Sequence, residues 1–384
     1  MNQERVRVLQ VGKFYPPHRG GMETHLEVLC DGLSRSCEVT AIVANDGPRT
    51  ASGYVRHVSV TRVAALGHVA STAISPGMVR EIRTHPADII HIHWPNPTAV
   101  AAYFASRHRG RLVMTYHSDV VRQKTLARVI RPLLTAALKR ADAVIVTSRR
   151  YAETSSVLRS FIHKCRVIPF GLDSALYEAF DRARAGHIRA EYGPRLLLAV
   201  GRHVYYKGFE YLIAAMRDVR GKVLMAGDGP LRSRLAALTA RHGVDDRVVF
   251  LGEVDDLVPY YHAADAVVLP SITRNEAFGI VQMEAMACGR PVINTALDST
   301  VPLVSLHGKT GLTVTPKNVG ELASAMNLLL DDERLRLQYG TAARRRVETE
   351  FTAERMTSRT LDLYRQIIGG TKTQHAVDNF AACI

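Results

Sequence analysis

The first half of the chain alternates short apolar runs with longer segments whose apolar residues recur at helical spacing. The longer segments include residues 24–33 and 99–107. The short runs that we interpret as strands are residues 6–11, 39–44, 89–93, 112–116 and 143–147. Nearly continuous apolar strands with helices between them indicate a parallel sheet that is covered on both faces.

The second half repeats this alternation after a break. The segment VIPFGLD, residues 167–173, ends the first series in Pro and Gly, and residues 174–192 are charged and weakly patterned. Strands are then predicted at residues 196–200, 223–226, 248–251, 266–269 and 291–294, with helices at residues 209–217, 231–242 and 281–288. Two such series predict an α/β fold with two Rossmann-like domains, residues 1–175 and 176–352.

The end of the chain is helical and then loses its pattern. Residues 319–368 are helical and charge-rich, whereas residues 371–384 lack periodicity and are predicted to form a disordered tail. In an open parallel sheet the ligand lies at the carboxyl ends of the strands. We therefore expect the functional residues to follow strands.

The composition and the cysteines indicate the cellular compartment of the protein. Apolar residues make up 47% of the 384 residues. No apolar run reaches the roughly 20 residues that cross a bilayer, and the N-terminus lacks the pattern of a signal peptide. The five cysteines are scattered without metal-ligand spacing, which favours free thiols in a reducing compartment. These features predict a cytoplasmic protein.

The net charge of +14 limits the classes of partner. Nucleic acid, an anionic membrane surface or phosphorylated small molecules could each explain it. The sequence has no zinc-finger spacing, no basic region with heptads and no aromatic motif of a nucleic-acid-binding sheet. We therefore expect no nucleic-acid partner, and phosphates and membranes remain.

The most informative motif is NEAFGIVQMEAMACGRPV, residues 275–292. Glu276 and Glu284 flank Gly279, at which a loop could become a helix whose backbone N–H groups favour a phosphate. One carboxylate can accept hydrogen bonds from a sugar, and the deeper one can accept them from ribose hydroxyls. Two solvated glutamates on a surface helix are the alternative. Against it, apolar residues recur at helical spacing and indicate a packed helix: Ile280, Met283, Ala287 and Cys288.

Two cations and two glycines also follow predicted strands. Arg202 and Lys207 could clamp a pyrophosphate, Arg through a bidentate fork and Lys as a compact charge. On these two residues alone, an ordinary basic loop is the better interpretation. Gly20 and Gly21 would let backbone amides approach a ligand closely, although a plain turn has the same composition. They do not form a G-x-G-x-x-G fingerprint, which argues against a nicotinamide enzyme.

Histidines end two of the predicted strands. His117 should point into the ligand cleft, and a structural histidine is the alternative. His91 and His93 alternate on one strand and therefore share a side, but no third metal ligand has suitable spacing. We interpret both histidines as strand-end residues near an acceptor pocket, with Trp94 as a ring on which a sugar could stack. Asp119 is a further candidate for acceptor binding.

Nearly the whole chain carries a series of motifs that resembles one enzyme family. The motifs are GKFYPPHRGGMETH at 12–25, DIIHIHWPNP at 88–97, TYHSD at 115–119, IPFGLD at 168–173, VGRHVYYKGFEYLI at 200–213, AGDGP at 226–230 and the E-x7-E arrangement of residues 276–284. In this order and spacing they resemble glycosyltransferase family 4, which has the GT-B fold. The resemblance implies two Rossmann-like domains that face each other across a cleft. It also implies a C-terminal helix, about residues 353–370, that crosses back to the N-terminal domain.

The resemblance implies a role for each motif. Glu276 corresponds to the residue that contacts the transferred sugar, and Glu284 to the residue that binds the donor ribose. Arg202 and Lys207 correspond to the cations that hold the donor diphosphate and stabilise it as it leaves. His117 corresponds to a histidine near the donor sugar and the reacting centre. Four of these five residues are the catalytic candidates: Glu276, His117, Arg202 and Lys207. Glu284 is a candidate for donor binding only.

The same correspondence defines two sets of binding residues. The implied donor-binding residues are Gly20, Gly21, Gly201, Arg202, Lys207, Glu276, Ala277, Phe278, Gly279, Ile280 and Glu284. The candidate acceptor-binding residues are His93, Trp94 and Asp119. The implied reaction is a hexosyl transfer with retention of configuration from a nucleotide diphospho-sugar. It needs no cofactor and no metal ion.

The motifs look most like the branch of the family that transfers mannosyl and rhamnosyl residues in bacterial surface polysaccharide synthesis. That resemblance implies GDP-mannose as donor and a glycan or polyprenyl-diphosphate-linked acceptor. A transferase that uses UDP-glucose or UDP-N-acetylglucosamine on a small-molecule acceptor is the alternative. Two other classes are a phosphorylase, which needs a pyridoxal phosphate lysine and usually a longer chain, and a non-catalytic sugar-nucleotide-binding protein.

One stretch in the first half is both basic and amphipathic. Residues 122–140, RQKTLARVIRPLLTAALKR, hold six cations and no acid, with apolar residues on one face. Such a helix is typical of a peripheral contact with anionic membrane. A solvated helix face over the core of the first domain is the alternative. If the helix binds membrane, the protein would lie on the inner face of the plasma membrane.

Overall fold

The computed structural model describes residues 5–18, 20–69, 72–119 and 124–370, apart from the side chains of residues 69 and 124–127. It divides into two compact units. Unit 1 contains Met1–Gly171 and Ala353–Ile384, and unit 2 contains Leu172–Thr352. The division falls within the segment VIPFGLD, a few residues before the boundary placed from sequence. The tail predicted at residues 371–384 lies outside the described residues.

Both units are built on mainly parallel sheets. The strands, in chain order, are β1 (Arg7–Val11), β2 (Glu38–Ala44), β3 (Ala51–Val55), β4 (Val58–Val63), β5 (His68–Val69), β6 (Thr72–Ala73), β7 (Ile89–Trp94), β8 (Arg111–Tyr116), β9 (Ala143–Val146), β10 (Cys165–Val167), β11 (Leu196–Val200), β12 (Lys222–Ala226), β13 (Val248–Gly252), β14 (Ala266–Val268), β15 (Val292–Thr295) and β16 (Gly311–Val314).

Helices connect most of these strands. They are α1 (Gly21–Ser34), α2 (Met78–Thr84), α3 (Pro97–Ser106), α4 (Lys124–Arg140), α5 (Arg149–Thr154), α6 (Ala175–Glu178), α7 (Arg182–Tyr192), α8 (Phe209–Ala215), α9 (Arg232–His242), α10 (Val258–Ala263), α11 (Ile280–Ala287), α12 (Val301–Val304), α13 (Val319–Asp331), α14 (Glu333–Glu350) and α15 (Ala353–Ile368). Several begin where a side chain caps free backbone N–H groups, as Asn96, Ser148 and Asp332 do for α3, α5 and α14. Within the described ranges, no helix has both the length and the apolar composition that a membrane crossing requires.

The sheet of unit 1 has the strand order β10-β9-β8-β7-β1-β2-β4-β3. Only the edge strand β3 runs antiparallel to its neighbour, and every other pair is parallel. From β1 the chain moves outward through β2 to the edge strand β3, turns back to β4, and then crosses to β7 on the other side of β1. The point at which the direction of winding reverses therefore lies between β1 and β7. Ligands bind at this position in doubly wound sheets.

The sheet of unit 2 has the order β13-β12-β11-β14-β15-β16, with all pairs parallel. Its switch point lies between β11 and β14. These two sheets, each with helices between successive parallel strands, confirm the predicted α/β fold with two Rossmann-like halves. Each half has its own apolar core, formed by the nearly continuous hydrophobic strands and the inner faces of the helices.

The last helix of the described residues, α15, belongs to unit 1, as the sequence resemblance implied. Met356 and Leu363 of α15 enter the same core as Leu26 and Leu29 of α1. The two helices approach so closely at Gly32 that an added Cβ atom would overlap Thr357. The C-terminal helix therefore returns to the N-terminal unit through apolar packing on α1.

Several elements were not predicted from the sequence. Strand β3 is exposed along most of its length, with Tyr54 80% exposed, so it has no apolar run to reveal it. The short strands β10 and β16 were also missed. Residues 174–192, which we described as weakly patterned, contain α6 and α7. Helix α7 buries only Ala185 and Ile188, which explains its weak periodicity.

A close contact joins the loops that follow β11 and β14. The Ile272 N–H group donates a hydrogen bond to the Tyr206 carbonyl oxygen over 2.8 Å. Gly208 has a φ of 67°, and an added Cβ atom would overlap the Pro270 carbonyl oxygen. Glycine is therefore required at this position by both the backbone conformation and the available space. The contact fixes the two loops against each other on either side of the switch point.

We expect Gly208→Ala to destabilise the protein more than Gly243→Ala does. Gly243 has a similar φ of 64°, but nothing lies within 4 Å of an added Cβ atom. Its substitution therefore measures the cost of the left-handed backbone conformation alone, about 1–2 kcal/mol. Steric overlap at Gly208 should add about 1–3 kcal/mol to the loss. The free energy of unfolding from urea titrations measures both. Equal losses would contradict the close contact at Gly208.

Candidate functional site

An ion pair lies at the carboxyl edge of the unit 2 sheet, beside the switch point. Lys207 follows β11 and Glu276 follows β14, and Nζ of the lysine is 2.7 Å from Oε2 of the glutamate. Each side chain is only 10% exposed. Ser271 Oγ donates a hydrogen bond to the same carboxylate oxygen over 3.0 Å. Within the described residues Oε1 of Glu276 has no partner, so it can accept a hydrogen bond from a ligand.

The charge of Glu276 keeps Lys207 ionised in spite of its burial. Burial alone would lower the pKa of Lys207, but the nearby carboxylate and the hydrogen bond to it outweigh burial and raise the pKa above its usual value. A buried cation that is already neutralised costs much less to hold in place than an unpaired one. The site therefore presents a fixed ammonium group at the sheet edge.

A second cation stands near the first. Arg202 also follows β11 and is exposed, and in the described part of the chain no acidic side chain pairs with it. Gly201 has a φ of 146°, and an added Cβ atom would lie 2.9 Å from Cε of Lys207. The glycine therefore leaves room for the lysine side chain beside the backbone. An exposed guanidinium beside a fixed ammonium suits a diphosphate.

The N-terminus of α11 lies just beyond Glu276. Gly279 caps the helix in the left-handed conformation, with a φ of 74° and no side-chain capping bond. Its own N–H group and that of Ile280 have no acceptor among the described residues. Ala277 and Phe278 are buried and lead the chain into the helix. Open amides at a helix N-terminus attract anionic or strongly polar oxygens.

Glu284 lies inside α11 and is held by tyrosines. Tyr261 donates a hydrogen bond to Oε2 of Glu284 over 2.5 Å, and Tyr177 is a second donor. Burial raises the pKa of Glu284, and the two tyrosines and the nearby charge of Lys207 oppose that rise. The structure thus brings Lys207, Glu276 and Glu284 into one electrostatic cluster.

The predicted glycine pair lies in unit 1, at the start of α1. Gly20 precedes the helix and Gly21 is its first residue, with no side-chain capping bond. The N–H groups of Gly21 and Met22 have no acceptor among the described residues. An added Cβ atom at Gly20 would overlap the carboxylate of Glu23. This loop therefore leaves backbone donors open beside the carboxyl end of β1.

His117 is the end of a buried chain of hydrogen bonds in unit 1. Its Nε2 atom lies 3.0 Å from Nδ1 of His93. Nε2 of His93 lies 2.9 Å from Oε1 of Gln10 on β1. His117 is 6% exposed and His93 is 1% exposed. The remaining nitrogen of His117, Nδ1, has no hydrogen-bond partner among the described residues. Unlike the ring nitrogens of His25, it is not one of the fully buried atoms that lack a partner.

The chain continues from Gln10 toward the C-terminal helix. Nε2 of Gln10 donates to the hydroxyl of Tyr364 on α15 over 3.0 Å. That hydroxyl lies 2.6 Å from Nδ1 of His91, whose Nε2 lies 2.7 Å from Oγ1 of Thr115. Burial lowers the pKa of His91 and His117 well below the usual value and that of His93 to about 3. All three rings are therefore neutral at neutral pH.

His25 on α1 completes the group and was missed by sequence reasoning. Its ring is 4.2 Å from that of Phe170 and 5.1 Å from that of His117, measured between centroids. Both ring nitrogens are buried without a partner in the described part of the chain. The sequence signal was a histidine on the apolar face of the helix that follows the glycine pair, beside Leu26 and Leu29.

These rings are also the residues that could hold a metal ion. One nitrogen each of His25, His93 and His117 lie within 4.8 Å of one another. Such neutral imidazoles are common metal ligands. In the structure, two of the three are hydrogen-bonded to each other, and a metal ion would have to replace that bond.

The structure corrects two of the three predicted acceptor contacts. Trp94 is 1% exposed and lies parallel to Tyr116, so its ring cannot stack on a sugar in this structure. His93 is also buried, with both nitrogens engaged within the protein. The third, Asp119, is half-buried, and its Oδ1 accepts hydrogen bonds from Tyr116 and Ser155. All three lie at the ends of β7 and β8, but two of them face the core.

Comparisons with known proteins match both halves of the chain. Residues 19–176 match the family Glycosyltransferase Family 4, and residues 185–346 match the family Glycosyl transferases group 1. The chain is 32% identical over 370 residues to O-antigen chain mannosyltransferase C of Escherichia coli, covering 94% of this chain and 99% of that protein. It is 36% identical over 289 residues to D-rhamnosyltransferase WbpZ of Pseudomonas aeruginosa, covering 74% and 76%.

Among solved structures, sucrose-phosphate synthase of Thermosynechococcus elongatus has a similar fold. The TM-score is 0.80 with 24% identity, over 96% of this chain and 100% of that chain. At this identity the likeness shows the fold alone. It agrees with the two Rossmann-like halves of the GT-B architecture.

The buried histidines predict that the protein loses stability in acid. A ring whose folded pKa is lowered binds no proton in the folded state, whereas in the unfolded chain it binds one below about pH 6.5. Each ring therefore makes stability fall by about 1.4 kcal/mol for each pH unit below that value. His25→Leu should remove the contribution of one ring to this pH dependence. It should leave the free energy of unfolding at pH 7.5 equal or higher, because no hydrogen bond is lost.

The measurement is the free energy of unfolding at pH 7.5 and pH 5.5 for the wild type and the variant. The matched control is His57→Leu at an exposed histidine of the same unit, which should keep the wild-type difference. If His25→Leu loses as much stability on acidification as the wild type, His25 is not a buried neutral ring.

Proposed function

The chain belongs to glycosyltransferase family 4, and we propose that it transfers mannose from GDP-mannose to a glycan or lipid-linked glycan in bacterial surface polysaccharide synthesis. Enzymes of this family typically retain the configuration of the transferred sugar. The choice of sugar is supported by the two relatives described above, which are named as a mannosyltransferase and a rhamnosyltransferase. The observation that carries the proposal is the buried Lys207–Glu276 pair beside open helix amides.

Unit 2 holds the donor in this proposal. Arg202 and Lys207 bind the diphosphate, and the free oxygen of Glu276 accepts a hydrogen bond from a sugar hydroxyl. The N–H groups of Gly279 and Ile280, which have no acceptor among the described residues, bind the sugar from the other side of the loop. Glu284 accepts hydrogen bonds from the ribose hydroxyls.

The transfer itself is a substitution at the anomeric carbon on one face of the sugar. The acceptor oxygen forms a bond to this carbon as the bond to the diphosphate oxygen breaks. The proton of the acceptor hydroxyl passes to the departing diphosphate. Positive charge develops on the sugar and negative charge on the diphosphate, so fixed cations at the diphosphate lower the barrier. His117 supports the sugar hydroxyls or the developing positive charge.

No metal ion is needed in this mechanism. Lys207 and Arg202 supply the positive charge that a divalent cation would otherwise bring to the leaving diphosphate. The reaction needs no other cofactor, because both bonding electrons leave with the diphosphate. We therefore propose that nucleotide-sugar binding and transfer persist in the presence of a chelator such as EDTA.

Donor choice can be measured without knowing the acceptor. A thermal-shift panel of GDP-mannose, UDP-glucose, UDP-N-acetylglucosamine and ADP- and TDP-sugars, all with EDTA, compares the candidates directly. All donors are compared at one common concentration, at which GDP-mannose should give the largest stabilisation, about 2.7 kcal/mol if that concentration is a hundred times its Kd. A larger shift with a UDP-sugar would favour the alternative donor. A shift that appears only with added metal would contradict the metal-free site.

The role of Glu276 separates sugar binding from nucleotide binding. Glu276→Ala should keep the stabilisation by GDP but lose the additional stabilisation that the mannosyl group of GDP-mannose provides. Transfer to a bacterial membrane fraction should fall at least about 100-fold. Glu253→Ala, at an exposed glutamate of the same unit, is the control and should behave as wild type. Unchanged transfer by Glu276→Ala would rule out its catalytic role.

We further propose that α4 rests on anionic membrane at the inner face of the plasma membrane. Leu134, Ala137 and Leu138 face the core of unit 1, which leaves a different face of the helix exposed. Arg128 and Arg131 are exposed on it, and Val129 between them is 75% exposed. Basic and apolar groups side by side suit the headgroup region of anionic lipid. A polyprenyl-diphosphate-linked acceptor would lie in the same membrane.

Charge reversal of this face should abolish the membrane contact. Arg128→Glu with Arg131→Glu should weaken binding to vesicles of phosphatidylglycerol and phosphatidylcholine by at least about 30-fold, because each lost charge is worth about 1 kcal/mol. Co-sedimentation at low salt measures it. The control reverses Arg234 and Arg241 on α9 of unit 2 and should bind as wild type. Equal binding by both double variants, or none by the wild type, would refute the contact.

A further inference from the structure

The six polar side chains that end at His117 form one chain in which every hydrogen bond fixes the next. Its members, in order, are Thr115, His91, Tyr364, Gln10, His93 and His117. We call it the histidine chain. Its rings are neutral and buried, so each imidazole has one nitrogen that donates and one that accepts. The direction of one bond therefore determines the direction of its neighbour.

Gln10 lies in the middle and sets the direction toward His117. Its Oε1 atom can only accept, so Nε2 of His93 must carry the hydrogen. Nδ1 of His93 is then a lone pair and must accept from Nε2 of His117. His117 is consequently the tautomer with hydrogen on Nε2, and its open Nδ1 atom is a hydrogen-bond acceptor.

The other half of the histidine chain agrees with this direction. The amide nitrogen of Gln10 donates to the hydroxyl oxygen of Tyr364. The hydroxyl hydrogen is then free to point to Nδ1 of His91, and Nε2 of His91 donates to Thr115. Turning the Gln10 amide over would reverse every bond and move the hydrogen of His117 to Nδ1. The tautomer of His117 thus depends on a side chain two bonds away and on a hydroxyl of the last helix.

We propose that Gln10, His93 and Tyr364 are positioning residues that hold His117 as the Nε2–H tautomer, with the Nδ1 lone pair turned to the substrate. The consequence for the reaction rests on the proposed role of His117 in sugar transfer. A lone pair accepts a hydrogen bond from a sugar hydroxyl and is compatible with positive charge developing on the sugar. An N–H group at the same place would repel that charge. The return of α15 to unit 1 supplies the Tyr364 hydroxyl on which this arrangement depends.

The tautomer can be measured directly, without an assay of transfer. In full-length protein labelled with nitrogen-15 at histidine, long-range proton–nitrogen NMR spectra distinguish a ring nitrogen with a hydrogen from one with a lone pair. His117→Gln assigns the signals of His117. In the wild type we expect the hydrogen on Nε2. In Gln10→Met and in Tyr364→Phe we expect a mixture of both tautomers.

Tyr103→Phe is the matched control, because it removes one hydroxyl from another largely buried tyrosine of unit 1 outside the histidine chain. It should leave the His117 signals unchanged. Hydrogen on Nδ1 in the wild type would overturn the proposal, as would an unchanged tautomer in both Gln10→Met and Tyr364→Phe. If Gln10→Met does not fold, Tyr364→Phe alone decides.

The kinetic counterpart is a lower kcat in Tyr364→Phe with the KM for GDP-mannose within about twofold of wild type.

The two readouts separate the proposal from the assignment of function. If GDP-mannose proves not to be the donor, the NMR result still tests whether the histidine chain fixes the tautomer. If the tautomer is fixed but kcat does not change, the positioning is real and the role of His117 in transfer is wrong.

Discussion

The ion pair between Lys207 and Glu276 is the interaction on which the proposed donor site depends. It joins the loops after β11 and β14, the two strands that flank the switch point of unit 2. The close approach at Gly208 and the bond between Ile272 and Tyr206 hold these loops together. Removing one partner of a buried pair leaves an uncompensated charge, at a cost of about 3–5 kcal/mol. In the proposed function the same two groups would serve both folding and the binding of an anionic donor.

Unit 1 contains a buried polar cluster that is neutral, unlike the charged cluster of unit 2. Its histidine chain carries no charge, because burial lowers the pKa of each of its imidazoles. In the proposed reaction a cation at His117 would oppose the positive charge that develops on the sugar, whereas the cations of unit 2 would favour the negative charge of the diphosphate. The packing of α15 on α1 contributes to this arrangement, because Tyr364 of α15 links Gln10 to His91.

The sequence predicted most strands of the two sheets and singled out Lys207, Glu276 and Glu284, because both leave local patterns. Apolar strands are continuous, and Glu276 and Glu284 stand at fixed spacing around a helix start. It did not reveal that His25 joins His93, because contact between α1 and β7 depends on tertiary packing. It placed Trp94 at the end of a strand but did not show that its ring is buried. A strand that is buried on both faces has no polar alternation from which the direction of a side chain could be deduced.

The most direct test of the account is a double-mutant cycle on the affinity for GDP-mannose, measured by titration calorimetry for Lys207→Met, Glu276→Gln and the double variant. If the pair grips the donor as a unit, each single variant weakens binding at least about tenfold. The double variant is then scarcely weaker than the worse single one, a coupling of about 1.4 kcal/mol or more. Losses that add to within about 0.5 kcal/mol, or wild-type affinity in both single variants, would contradict it.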